Sequence, residues 1–129
     1  MGIAGAGHAE LGHQAETCVI TPVACPVPDS GAPKLSGARR VRIRRDSRLF
    51  AIYCQEQADE EYFCNYEVNS RYIPSLEAAG LRFVAFGDQG EPRALELPDR
   101  RFFIATLFLP QDRAAQPHPF IAAYLKAAL

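Results

Sequence analysis

The stretch Arg39-Arg40-Val41-Arg42-Ile43-Arg44-Arg45 constrains the fold of this chain more than any other. Its apolar and cationic residues alternate with period two, so Val41 and Ile43 share one strand face and Arg40, Arg42 and Arg44 the other. Such a strand buries one side and keeps its charges in water. Residues 39–48 hold six arginines and one aspartate, whereas residues 56–67 hold Glu56, Asp59, Glu60, Glu61, Glu67 and no basic residue. The two runs nearly cancel. An arginine run could face nucleic acid, but aromatic stacking partners are not interleaved with this one, as single-strand binding requires. The reading adopted is a solvated strand face beside an acidic neighbour.

The balance of the whole chain agrees: 14 Lys+Arg against 15 Asp+Glu give a formal net charge of −1. Binding to nucleic acid or anionic lipid draws on excess positive charge, so both are excluded as expected partners. At 129 residues the chain has the length of one domain with a sizeable core. No apolar run approaches the ~20 residues that span a bilayer, and the N-terminus lacks the basic and apolar regions of a secretory signal. A cytoplasmic location is expected. Cys18, Cys25, Cys54 and Cys64 are therefore expected to be free thiols, largely buried.

Residues 1–16, rich in Gly, Ala and His, are expected to form a flexible segment ahead of a domain over 17–129. Thr17–Val27 is β-branched and broken by Pro22 and Pro26, which suits a strand with an edge-like end, and a loop through Asp29–Pro33 follows. Asp46 or Ser47 can cap a short helix through Leu49, Phe50 and Tyr53. Tyr62–Val68 reads as one strand. Asn69 or Ser70 can open a helix that tolerates Pro74 in its first turn and ends at Gly80. Leu81–Phe86, Ala94–Leu97 and Phe102–Phe108 read as short strands, separated by Gly-Asp-Gln-Gly at 87–90 and Pro-Asp at 98–99. After Pro119, the spacing of Phe120, Tyr124, Leu125 and Leu129 suits a closing amphipathic helix. The pattern is mixed α/β with a hairpin-rich middle.

Three constellations could carry chemistry. His8, His13, Cys18 and Cys25 can be drawn as a zinc site, but structural zinc favours Cys-x2–4-Cys pairs and neither Cys18/Cys25 nor Cys54/Cys64 has that spacing, so no metal is expected. Gly5-Ala-Gly7 has neither a preceding strand nor a following Lys-Ser/Thr and is no phosphate loop. His118, between Pro117 and Pro119, could act as a general base only with a cysteine in reach and an acid to orient it. Structural or helix-capping use is the reading adopted.

The second half of the chain resembles the C-terminal half of a class I glutamine amidotransferase domain, that of the CTP synthase family. Tyr66-Glu67-Val68-Asn69 with Leu76–Leu81 is similar to a family strand and helix. Glu96-Leu97-Pro98-Asp99 with Phe102–Thr106 is similar to a Glu-Leu-Pro-Asp-His-Pro-Phe-Phe-Val-Ala-Thr run, and Pro117-His118-Pro119-Phe120 to the family's closing helix start. These matches cover about 65–129 in order; residues 17–64 match more loosely. A group of proteins related to the CTP synthase C-terminal region is more similar still, sharing a stretch like Leu107–Gln111.

The resemblance implies a three-layer α/β fold of the amidotransferase type, represented by its C-terminal part. Active members carry Phe-His-Pro-Glu where this chain has Phe108-Leu109-Pro110-Gln111, so Leu109 and Gln111 stand at degenerate triad positions. Leu109 cannot accept a proton, and neutral Gln111 cannot steady an imidazolium. Tyr62-Phe63-Cys64-Asn65 replaces a run that includes a substrate-contacting arginine, and the family's nucleophilic cysteine falls upstream of Met1. The expectation is a non-catalytic binding or regulatory protein without cofactor, a natural half-domain or a fragment, with Tyr66, Glu67, Val68, Asn69 and His118 as family-motif positions. The alternative is an enzyme whose nucleophile comes from a longer native chain or a partner, with Cys18, Cys25 or His118 as local helpers. Either way, an uncovered sheet edge implies a homo-oligomer or a partner chain.

Overall fold

A computed structural model describes residues 2–13, 17–24, 31–112 and 117–129. Along the chain run β1 (Gly7–His8), β2 (Cys18–Pro22), β3 (Leu35–Ile43), α1 (Arg48–Tyr53), β4 (Gln57–Cys64) and β5 (Tyr66–Val68). They are followed by α2 (Ile73–Ala78), β6 (Arg82–Phe86), β7 (Pro92–Glu96), β8 (Ile104–Thr106) and α3 (Pro119–Ala128). Residues 25–30, which include Cys25 and most of the predicted loop, lie outside the described residues.

Five strands form an antiparallel sheet in the order β4-β3-β6-β7-β8, and three form a smaller sheet in the order β1-β2-β5. In the small sheet β1 and β2 are parallel and β2 and β5 antiparallel. One face of the large sheet carries Val41, Ile43, Tyr62, Val84 and Phe108, packed with Leu49 and Phe50 of α1 and Phe120 of α3. The other face carries Phe83, which packs with Leu76 of α2 and Val19 and Val68 of the small sheet. Three layers result: two helices, the sheet, then α2 with the small sheet. Phe83 and Phe108 are each 1% exposed, one on either side, and burial of a phenylalanine contributes roughly 1.5–3 kcal/mol.

The arginine strand is β3, and its alternation sets the register with β4. Buried Val41 stands opposite buried Ala58, while Arg40 on the wet face stands opposite Asp59 and bonds it at 3.0 Å. A slip of one residue would drive the arginines into the core. Arg45 pairs with Glu56, and this hydrogen bond holds the Glu56 carboxyl below the usual carboxylate range. Arg42 instead donates to the backbone carbonyls of Gly87 at 2.9 Å and Asp88 at 3.3 Å, tying the hairpin to the β6–β7 turn. The acidic run is not wholly solvated, however. Glu60 shares the face of Ala58 and Tyr62 and is buried.

Local chemistry explains the helix ends. Ser47 Oγ accepts from Phe50 N at 3.0 Å and caps α1, whereas Asn69 Oδ1, accepting from Arg71 N at 3.1 Å, caps a 3-10 turn over Ser70–Tyr72 that leads into α2, which has no side-chain cap of its own. Pro74 falls in the first turn of α2, and Gly80 takes φ +94° just after its end, the left-handed conformation that glycine adopts without penalty.

Four expectations change. Tyr62–Val68 is two strands in different sheets: Asn65 stops the ladder, its carbonyl accepting from Val23 N at 2.8 Å and its Oδ1 from Lys34 N at 2.9 Å. Phe102–Phe108 narrows to Ile104–Thr106, because Leu109 N donates to Glu61 O and the chain thereby turns toward β4. The cysteines are not uniformly buried: Cys54 is exposed at the left-handed end of α1, φ +55°, and Cys64 is half-buried. The amphipathic helix α3 buries only part of its apolar face, and Tyr124 and Leu125 face solvent.

What seats α3 is polar. His118 caps it, with Nδ1 accepting from Phe120 N at 3.2 Å, and its Nε2 meets Glu60 Oε2 at 3.0 Å. Tyr53 donates from its hydroxyl to Glu60 Oε1 at 2.8 Å, adding α1 to the same knot. Glu60 is 1% and His118 3% exposed. Removing one member of a buried pair strands the other without solvent, at a cost of about 3–5 kcal/mol. Glu60→Ala and His118→Ala are each expected to lower the unfolding free energy by about that amount in urea denaturation; a loss below about 1 kcal/mol, the range of an exposed pair, would contradict the assignment.

Candidate functional site

The small sheet and the large sheet are joined by a buried arginine. Arg93 lies in β7 and is 6% exposed; its Nη1 donates to Glu67 Oε2 of β5 at 2.9 Å and its Nη2 to Glu91 Oε1 at 2.6 Å. A guanidinium presents donors in a planar fork, so one side chain serves both carboxylates. Its central carbon also stands 5.9 Å from the centroid of the Tyr62 ring, the approach of a cation to an aromatic face. Glu91 is held from the far side, where Oε2 accepts from Gln89 N at 2.9 Å. Gly87 makes room for it: a Cβ there would stand 2.1 Å from Glu91 Oε1.

Beside this bridge opens a cavity of about 560 Å³. Its walls are mostly apolar and aromatic, with Phe63, Tyr66, Val68 and Leu107 among them, and Glu67, Arg93 and Thr106 supply polar groups. That volume is within the range of small-molecule sites. His8 and Glu10 reach it from the chain's beginning; the His8 ring lies 5.7 Å from that of Tyr66, and its Nδ1 accepts from Glu10 N at 3.2 Å. Cys64 also lines the cavity, with its thiol donating to Tyr66 O at 3.1 Å. Tyr62 lies below Arg93 with a buried hydroxyl that makes no hydrogen bond among the described residues; burial pushes its phenol up, so it stays neutral.

The family-motif positions Tyr66, Glu67, Val68, Asn69 and His118 divide between three places. Tyr66, Glu67 and Val68 form β5 and line the cavity. Asn69 turns away to hold the chain, its Nδ2 donating to Cys18 O at 3.0 Å. His118 is distant in role, its ring nitrogens occupied by Glu60, Tyr53 and the N–H of Phe120. It has the acid a general base would need, and no described cysteine hydrogen-bonds it.

Leu109 is half-buried and Gln111 exposed, just beyond the Ala105–Leu107 segment that lines the cavity. Neither offers an ionisable group to it. In the His/Cys series, His13 Nδ1 accepts from His8 N at 2.9 Å and the buried Cys18 thiol donates to His13 O at 3.5 Å; Cys25 lies outside the described residues. Among the described residues no three His, Cys, Asp or Glu side chains converge to hold a metal, and no helix is long and apolar enough to cross a membrane.

Arg93 and Glu91 had no distinguishing signal in the sequence. Glu60 had one: alternation from Ala58 to Tyr62 puts it on the apolar face, where a lone acid needs a buried partner.

Comparison with known proteins places this geometry. No protein-family model matches the chain. CTP synthase of Pyrococcus furiosus is 40% identical over 96 residues, 71% of this chain and 18% of that protein. Those of Caldivirga maquilingensis and Natronomonas pharaonis are 39% identical over 113 residues and 37% over 115, covering 85% and 88% of this chain and 21% of each relative. Among solved structures, the Trypanosoma brucei CTPS glutaminase domain with bound acivicin superposes with a TM-score of 0.87 at 29% identity, covering 98% of this chain and 52% of that one. The chain thus spans about a fifth of the length of these curated relatives.

The bridge is open to direct test. Arg93→Met leaves Glu67 and Glu91 facing one another without a counter-charge and is expected to destabilise the fold by roughly 3 kcal/mol in urea denaturation. Arg93→Lys is expected to recover only part of this, because an ammonium cannot reproduce the fork. Equal stability of Arg93→Met and the parent would show that the bridge is not structural.

Proposed function

The chain is related by sequence and fold to the glutaminase domain of CTP synthase, carrying the C-terminal part of this class I glutamine-amidotransferase-like α/β fold, and we propose that it is a non-catalytic ligand-binding or regulatory form of that domain. One observation carries the reading. By the resemblance, Leu109 and Gln111, an alkyl group and a neutral amide, stand where the family carries its general base and the carboxylate that orients it. Amide hydrolysis through a covalent intermediate needs a base to take the nucleophile's proton and a group to hold that base in place. His118 does not replace them, because Glu60 and the α3 amide already occupy its ring. Arg93 does not serve as a free anion site either, since Glu67 and Glu91 neutralise it. What is left is a cavity with recognition groups.

The relatives' length supports a second reading. The matched region is about a fifth of each CTP synthase, so a longer native chain or a partner could supply the nucleophile and its base. Ammonia release from glutamine separates the two. The purified chain is expected to release none above the no-protein background, alone or with its isolated native partners. Release by the chain itself would overturn the non-catalytic reading, and release only on addition of a partner or in a longer native form would establish the second.

A further inference from the structure

We propose that the cavity bounded by β5, β7 and β8 takes a small primary amine carried on an apolar, aromatic body, with Glu67 as the counter-charge of its ammonium. The inference deepens the non-catalytic reading above by naming the ligand class of the same cavity. It starts from the sign of the charge. Glu67 and Glu91 set two negative charges on the single positive charge of Arg93, and the exposed Glu10 adds a third carboxylate at the mouth. An entering carboxylate would meet a guanidinium already paired with two carboxylates. An entering ammonium would meet surplus negative charge in a partly desolvated setting, where such contacts are strongest.

Glu67 is also placed to act. Only its Oε2 is engaged, by Arg93; Oε1 has no hydrogen-bond partner among the described residues, and the residue lines the cavity with a side chain 14% exposed. An ammonium brings three donors and no acceptor, which matches a carboxylate oxygen with no hydrogen-bond partner among the described residues. The rest of the wall suits the body of the ligand. Tyr66 and Phe63 offer ring surface, and Leu107 and Ile20 aliphatic surface. Aromatic faces attract both apolar groups and a nearby cation. A free amino acid such as glutamine fits less well, because Arg93, the one arginine or lysine among the described lining residues, is already paired with Glu67 and Glu91.

Titration calorimetry of the whole chain with phenethylamine, phenylacetate and glutamine tests this. Phenethylamine is expected to bind saturably and at least roughly tenfold tighter than phenylacetate or glutamine, the scale of one charge-assisted hydrogen bond. Glu67→Gln keeps Arg93 paired with Glu91 and is expected to weaken the amine by a similar factor. Ala105→Trp, at the exposed rim, is expected to abolish binding while leaving the melting curve in place, and it keeps the test sound should Glu67→Gln fold poorly. Absence of saturable amine binding, phenylacetate binding as tightly as the amine, or a folded Glu67→Gln that binds unchanged would each overturn the proposal. The probe has no amide to hydrolyse, so ammonia release from glutamine would defeat the non-catalytic reading without touching the amine result, and the converse holds.

Discussion

The buried contact between Glu60 and His118 is the constraint around which the helical side of this fold is arranged. A carboxylate on the apolar face of a sheet is tolerable only with a partner, and the partner here comes from 58 residues further along the chain. His118 also accepts the first free N–H of α3, and Tyr53 brings α1 to the same carboxylate. One residue pair thereby fixes where α3 begins and which face of the sheet it covers. Hydrophobic packing alone would specify this less sharply, since Tyr124 and Leu125 remain in water.

The opposite side of the sheet depends on a second buried charge, Arg93, and the two serve different ends. His118 is fully committed to structure. Arg93 ties two sheets together through Glu67 and Glu91, beside a cavity lined by aromatic and aliphatic groups in which one Glu67 carboxylate oxygen has no hydrogen-bond partner among the described residues. The fold matches that of a glutaminase domain, and under the non-catalytic reading we propose, Leu109 and Gln111 stand where a base and its carboxylate would be. On that reading the same framework would serve recognition and not proton transfer.

Much of the fold was legible in the sequence, for reasons that residues make plain. The period-two arginine strand, a cap at Ser47, Pro74 in a first turn and Gly80 past a helix end are local signals, and the structure follows each; Asn69 caps only the 3-10 turn ahead of α2. The break at Asn65 was not legible, because the polar contacts that cause it come from Val23 and Lys34, remote in sequence. The bulge that leaves Val84 between Phe83 and Ala85, turning both Val84 and Ala85 into one cluster, has no marker either. Of the site, Tyr66, Glu67 and Val68 were found through family resemblance. Arg93 was not, since a buried arginine looks like any strand arginine until its two acids are placed in space.

Hydrogen exchange tests most directly whether the structural lock and the cavity are separate devices. In Glu60→Gln the amides of α3 are expected to lose protection well ahead of those in β5 and β7, because α3 is seated through the pair and β5 and β7 are not. Unchanged protection of α3, or loss spread evenly over α3, β5 and β7, would contradict the account.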